Sequence, residues 1–131
     1  MTVQVLIVDD RAVVRKELRN LFALTADIAV AGEAADGWEA LYLARVLRPD
    51  IVLMDLQMPE MDGFEATRRI KAQGLARAVI VFTVYASDAN RQKALQAGAD
   101  AFVVKGADLG CLLDLFAQFS HGQEEGSKGK D

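Results

Sequence analysis

The feature that most restricts this chain is a set of short, nearly continuous apolar runs, each stopping at a polar residue and each followed by a segment of helical period. Val3-Gln4-Val5-Leu6-Ile7-Val8 stops at Asp9-Asp10, and Ile51-Val52-Leu53-Met54 stops at Asp55. Val79-Ile80-Val81-Phe82 is closed by Thr83, and Ala101-Phe102-Val103-Val104 by Lys105. Apolar runs without alternation predict strands covered on both faces, as in a parallel sheet. A shorter strand is expected from Ile28 to Ala31. Between the runs, Val13, Val14, Leu18, Leu21 and Phe22 recur at helical spacing, as do Trp38, Leu41, Tyr42 and Ala44 ahead of Pro49. Phe64, Ala66, Thr67 and Ile70 open a third helix. Ser87-Asp88 can cap a fourth that runs to Ala97, with Gly98 as its left-handed stop. Asp108 starts a last helix reaching about Phe119.

Strands alternating with helices predict an α/β fold, a doubly wound parallel (βα)5 sheet of flavodoxin-like type with strand order 2-1-3-4-5. In such sheets a site lies beyond the carboxyl ends of the strands, at the switch point between strands one and three. The 131 residues suit one domain over 1–119. Residues 120–131 contain no apolar side chain and are read as a polar flexible tail or the stump of a linker. With 15 basic and 19 acidic side chains, the net charge of −4 does not suit tracking a nucleic-acid backbone, and direct nucleic-acid contact is not expected. Arg68, Arg69 and Lys71 read as a solvated helix face. No apolar run is long enough to span a membrane and no signal-peptide plan is visible, so a cytoplasmic protein is expected. Cys111, the one cysteine, reads as a small buried hydrophobe.

The residues that end the strands carry the chemistry. Asp9, Asp10, Asp55, Thr83 and Lys105 are far apart in sequence but converge on one sheet edge. Each alone has an ordinary explanation as a turn, a strand end or a solvated charge; their joint placement does not. Gathered carboxylates repel unless a cation sits among them. All-oxygen ligands with open positions suit Mg2+, with Mn2+ as a substitute. A carboxylate can attack phosphorus to give an acyl phosphate. Mg2+, the Lys105 ammonium and the Thr83 hydroxyl could then hold the three peripheral oxygens. A calcium site, the rival for these carboxylates, would need more ligands and a twelve-residue loop that is absent here.

These residues carry a resemblance. Val8-Asp9-Asp10, then Met54-Asp55-Leu56-Gln57-Met58-Pro59-Glu60-Met61-Asp62-Gly63, then Thr83, Ala97-Gly98-Ala99 and Phe102-Val103-Val104-Lys105 resemble, in order and spacing, the receiver domains of two-component response regulators. The resemblance implies that Asp55 is the phosphoacceptor, charged from the phosphohistidine of a sensor histidine kinase or from a phosphotransfer protein. It implies that Asp10, Asp55 and the Gln57 backbone carbonyl bind Mg2+ directly, with Asp9 acting partly through water. Lys105 would pair with the phosphate and Thr83 would hydrogen-bond it. Thr83 and Phe102 would form the switch pair, acting on the face of helix four, strand five and helix five. Such domains form homodimers through that face or through helix five. Gln57 and Tyr85 occupy the positions that tune dephosphorylation.

This chain also departs from the common pattern. Gly106 follows Lys105 where many receivers have proline, a variant resembling receivers joined to LuxR-type helix-turn-helix outputs. Val84 stands where small residues are common. The resemblance therefore implies a phosphorylation-dependent switch controlling a DNA-binding output domain that residues 1–131 do not include. The alternative is a stand-alone or phosphorylation-independent interaction module of the same fold. Neither is an enzyme acting on a separate substrate. A phosphohydrolase generally needs an acid–base carboxylate two residues after the nucleophile, and that place holds Gln57. Self-phosphorylation from a donor and slow self-dephosphorylation are the only reactions expected. A flavin site is disfavoured because Asp9-Asp10 would repel its phosphate.

Overall fold

A computed structural model describes the backbone of residues 2–106 and 109–128, with side chains as far as Phe119. Asp108, expected to open the last helix, lies outside the described residues, as do residues 129–131 and the side chains of 120–128. The elements are β1 (Val3–Val8), α1 (Ala12–Ala23), β2 (Ile28–Ala34), α2 (Gly37–Leu47), β3 (Ile51–Met54), α3 (Gly63–Ala72), β4 (Ala78–Thr83), α4 (Asp88–Gln96), β5 (Ala101–Val104) and α5 (Leu109–Lys128). The five strands are paired in parallel in the order β2-β1-β3-β4-β5. The expected fold class and strand order are therefore the observed ones.

The continuous apolarity of the strands has a direct cause. Side chains alternate across a strand, and both faces of this sheet are covered. Val5, Ile7, Ile51, Leu53, Ile80 and Phe82 pack with Leu18 and Phe22 of α1 and Leu112 and Phe116 of α5. Their neighbours Leu6, Val8, Val52, Met54 and Val79 face Leu41 and Ala44 of α2 and Ala66 and Ile70 of α3. A smaller cluster joins Leu56, Val81, Ala94 and Ala99 beneath α4. Side-chain caps fix three helix starts: Asp36 accepts from the Glu39 N–H, Asp62 from Glu65 and Ser87 from Asn90. Each satisfies one of the orphan N–H groups of a helix start. Gly98 adopts a left-handed φ of 108° after α4, as expected.

Three boundaries or burials differ from the sequence reading. β2 runs to Ala34 instead of stopping at Ala31, with an irregularity opposite Val5 and Leu6. It is an edge strand, so Gly32 and Glu33 can extend it without burying a charge. α5 continues to Lys128, past the last apolar residue, because a nucleated helix gains one hydrogen bond for each further residue fixed. Cys111 is exposed, which corrects its reading as a buried hydrophobe. Leu112 and Phe116 point at the sheet, and one residue back along a helix is a rotation of about 100°. Leu113, Leu115 and Phe119 pack at the core margin, while Leu109 at the start of the helix is 42% exposed.

The Phe116 ring lies 5.3 Å from that of Phe22, tying α5 to α1. Phe116→Ala should cost about 3–5 kcal/mol in urea unfolding, since it opens a cavity in a site with no slack. A loss below about 1 kcal/mol would show that α5 does not seal this face.

Candidate functional site

The sheet register builds the site. Val8 of β1 is level with Met54 of β3, so the next residues, Asp9 and Asp55, emerge side by side. The Asp55 N–H donates to the Val8 carbonyl at 3.0 Å and the Asp9 N–H to Ala34 at 3.0 Å, extending the ladder through both. β4 and β5 deliver Thr83 and Lys105, and the Lys105 N–H is bonded to the Thr83 carbonyl at 2.8 Å. The five expected residues are thus brought together at the carboxyl edge.

Asp9, Asp55 and Thr83 are buried while Asp10 is exposed. One carboxylate oxygen from each of Asp9, Asp10 and Asp55 lies within 4.8 Å of the others. Lys105 Nζ sits 2.5 Å from Asp9 Oδ2 and 3.5 Å from Asp55 Oδ2, bridging the two buried carboxylates. Asp55 Oδ1 accepts from the Leu56 N–H at 2.8 Å. Asp9 Oδ1 accepts from the Arg11 N–H at 2.9 Å, and the Thr83 hydroxyl oxygen accepts from the Tyr85 N–H at 3.1 Å.

Burial holds the Asp55 carboxyl above its ordinary value of 3.8. The Lys105 charge opposes this, the Asp9 charge reinforces it, and hydrogen bonds from Leu56 and Thr83 oppose it without cancelling it. Three carboxylates facing one ammonium leave the cluster with a negative formal charge. Its donors are all hard oxygens, and exposed Asp10 leaves one side open to water or a phosphate. Such a set fits a small divalent cation of the Mg2+ type.

A cavity of about 620 Å³ opens beside Asp55 and is walled by Asp10, Gln57, Met58, Val84, Tyr85 and Lys105. Gln57 and Tyr85, the expected tuning residues, therefore stand at its mouth, with Val84 exposed beside them. Phe102 is half-buried against the α4 cluster, and the Arg91 guanidinium lies 4.8 Å from its ring centroid. Gly106 has a φ of 90°, which the proline ring cannot adopt, so this loop needs the glycine.

Two contributions escaped sequence reasoning. Gly63 approaches the end of β3 so closely that a Cβ would lie 2.0 Å from the Asp55 carbonyl oxygen. In the sequence Asp62-Gly63 figures only as the end of the stretch that carries the family resemblance, with no sign of this contact. Arg15 reaches from α1 to the Asp9 carbonyl, a contact that apolar periodicity gives no hint of. The expected solvated face is more engaged than predicted. Arg68 and Arg69 pair with Glu65, Arg69 covers the Trp38 ring at 5.1 Å, and Lys71 pairs with Asp100 at 2.9 Å.

Among the described residues no helix is long and apolar enough to cross a membrane. Comparison with known proteins agrees with this geometry. The family model of the response regulator receiver domain matches residues 5–117. The response regulator protein VraR of Staphylococcus aureus is 38% identical over 123 residues, 94% of this chain and 59% of that protein. The chain thus spans about three fifths of the curated relatives it matches. The response regulator domain of Thermotoga maritima CheB superposes with a TM-score of 0.84 at 31% identity, covering 90% of this chain and 96% of that one. A LuxR-family two-component response regulator from an Aurantimonas species gives 0.84 at 34% identity, with both chains covered in full. A carboxylate cluster at the switch point, a lysine bridging it and a family match over nearly the whole fold have one meaning: this chain belongs to the response regulator receiver domains.

Proposed function

We propose that this domain is a phosphorylation-dependent switch in which Asp55 accepts a phosphoryl group from a histidine kinase or phosphotransfer protein in a Mg2+-dependent reaction. The observation that carries the proposal is the convergence of Asp9, Asp10 and Asp55 oxygens within 4.8 Å of one another, beside an open cavity and within reach of Lys105. When bound, Mg2+ would neutralise the carboxylates and draw charge from the transferring group. Asp9, Asp10, Asp55 and the Gln57 carbonyl would hold it.

The remaining chemistry belongs to the chain. A carboxylate oxygen of Asp55 attacks phosphorus, the donor P–N bond breaks, and the departing imidazole keeps its electron pair and takes a proton. The Lys105 ammonium, now shared by Asp9 and Asp55, offers its charge to the new phosphate. The Leu56 N–H and the Thr83 hydroxyl donate hydrogen bonds to it. Once the Thr83 hydroxyl turns to the phosphate, its bond to the Tyr85 N–H is weakened and the β4–α4 loop is free to shift. Phe102 then changes its packing under α4. It has no hydroxyl, so the signal travels by packing and by loss of the Arg91 contact.

Intact-mass measurement after incubation with Mg2+ and an acyl phosphate tests the chemistry. One phosphoryl group is expected on the wild type and none on Asp55→Asn. If small donors fail because Val84 narrows the mouth, a phosphorylated histidine kinase should succeed. Failure of both would leave an interaction module that has kept the fold. Gln57 cannot shuttle protons as a carboxylate would, so no turnover of separate phosphate esters is expected. Tyr85 stands at the cavity mouth, where it would obstruct attacking water. Tyr85→Ala should shorten the phosphorylated lifetime several-fold in a Phos-tag decay series; an unchanged lifetime would count against this role.

The relatives' greater length and their LuxR-family members support a DNA-binding output elsewhere in a longer protein, controlled from the α4–β5–α5 face and through homodimerisation there or along α5. Such a protein would work in the cytoplasm, with this domain touching neither membrane nor nucleic acid.

A further inference from the structure

We propose that Arg15 is a positioning residue for the acidic site, holding the peptide from which Asp9 and Asp10 project. This rests on the switch reading above and adds to it a residue outside the carboxylate edge. Arg15 lies on α1, and its Nη1 donates to the Asp9 carbonyl at 2.7 Å. Its Nε is bonded to Glu33 Oε1 on β2 at 3.3 Å, and Arg19 holds the other carboxylate oxygen of Glu33. The guanidinium is therefore clamped from both ends, with only 20% of the side chain exposed.

The clamp matters because of where Asp9 stands. Its N–H is bonded to Ala34, but its carbonyl points past the end of β1, beyond the last paired strand residue. Arg15 supplies the donor that a buried carbonyl requires. That peptide joins the two Cα atoms, so its rotation sets how the Asp9 carboxylate, paired with Lys105, and the Asp10 carboxylate, at the cavity, stand relative to each other. A planar, doubly anchored fork fixes that rotation; a flexible ammonium fixes it less well. Groups that orient metal ligands from behind commonly change metal affinity by about 10–100-fold when removed.

The experiment is Mg2+ titration by isothermal calorimetry, without any phosphodonor, on wild type, Arg15→Ala and Arg15→Lys. Val3→Ala, at the far end of β1, serves as a variant destabilised for unrelated reasons. Arg15→Ala is expected to weaken Mg2+ binding about 10-fold. Arg15→Lys should recover part of the loss, and Val3→Ala should bind like wild type despite a lower Tm. If Arg15→Ala does not fold, Arg15→Lys against wild type still reads the contact, with a loss of about three-fold expected. Wild-type affinity in every folded Arg15 variant would overturn the proposal and leave the receiver reading intact. Equal losses in Val3→Ala would overturn it as well, showing general loosening instead of positioning. No Mg2+ binding by the wild type would overturn both.

Discussion

In metal-free buffer at neutral pH, Asp55→Asn is expected to be more stable than the wild type, although it removes the carboxylate on which the proposed function depends. The wild-type fold gathers three carboxylates with oxygens within 4.8 Å and offers them one ammonium. Asp55 bears most of the cost. Burial raises its pKa, the Asp9 charge adds to that, and Lys105, Leu56 and Thr83 only partly compensate. A carboxyl with a raised pKa in the folded state binds its proton more tightly there than in the unfolded chain. Its contribution to stability is therefore fully present below the unfolded value and is lost as pH rises through the folded value. Above the folded value the wild type has lost that contribution, and the asparagine variant has nothing to lose. Each ~1 kcal/mol recovered would raise Tm by roughly 3–6 °C in a domain of this size.

The gap between the two proteins should close on acidification, as Asp55 takes up its proton, and reopen as pH returns to neutral. Mg2+ should act in the opposite sense. A ligand held at 100 times its Kd stabilises by about 2.7 kcal/mol, and the wild type should gain far more of this than a variant lacking one of the three carboxylates. A melting series over pH, with and without Mg2+, reads both effects, while the mass spectrum reads loss of the phosphoryl adduct. An asparagine variant less stable than wild type at neutral pH without metal would mean that Lys105 over-compensates the cluster. Stability would then have been exchanged for function at some other residue.

The legible part of this site was legible because parallel strands put all their carboxyl ends on one edge. Given the four apolar runs that stop at polar residues, the identity of the residues closing them is enough to gather Asp9, Asp10, Asp55, Thr83 and Lys105. What remained hidden depended on geometry that periodicity does not encode. Asp9 and Asp10 are adjacent in sequence, yet one is buried against Lys105 and the other is exposed at the cavity. Nothing in the sequence marks Arg15 or Glu33, because a salt bridge between a helix and an edge strand leaves no pattern in either segment. Cys111 was misplaced because the last helix has more apolar positions than its sheet-facing stripe can use, and sequence does not say which are surplus. The β2 boundary lies beyond the apolar run for a related reason: an edge strand can run on through a glycine and a glutamate to Ala34 without penalty.

Gly63 is where the hidden part should have its largest effect. It opens α3, its N–H donates to the Leu56 carbonyl at 2.8 Å, and Asp62 caps the helix immediately before it. A Cβ there would meet the Asp55 carbonyl oxygen at 2.0 Å, and the Asp55 carbonyl carbon and Leu56 Cα at 2.9 Å. All three are backbone atoms, so no change of rotamer relieves the contact. Gly32 makes the useful comparison: its Cβ would meet the Leu47 Cδ1 at 2.9 Å and the Leu6 Cδ1 at 3.6 Å, both far ends of side chains and neither of them backbone. Gly63→Ala must push α3 off the sheet or push the Asp55 peptide out of line with Val8. The first should cost about 1–3 kcal/mol, as inserted methyl groups do in well-packed interiors. The second moves the nucleophile, and misplacement by about 1 Å can cost on the order of 100-fold in rate. Urea unfolding and a phosphorylation time course on Gly63→Ala and Gly32→Ala separate the two responses. Both losses are expected in the first variant and neither at that scale in the second. Full stability and full rate in Gly63→Ala would show that the β3–α3 loop yields freely, and that the phosphoacceptor does not depend on the close approach of α3.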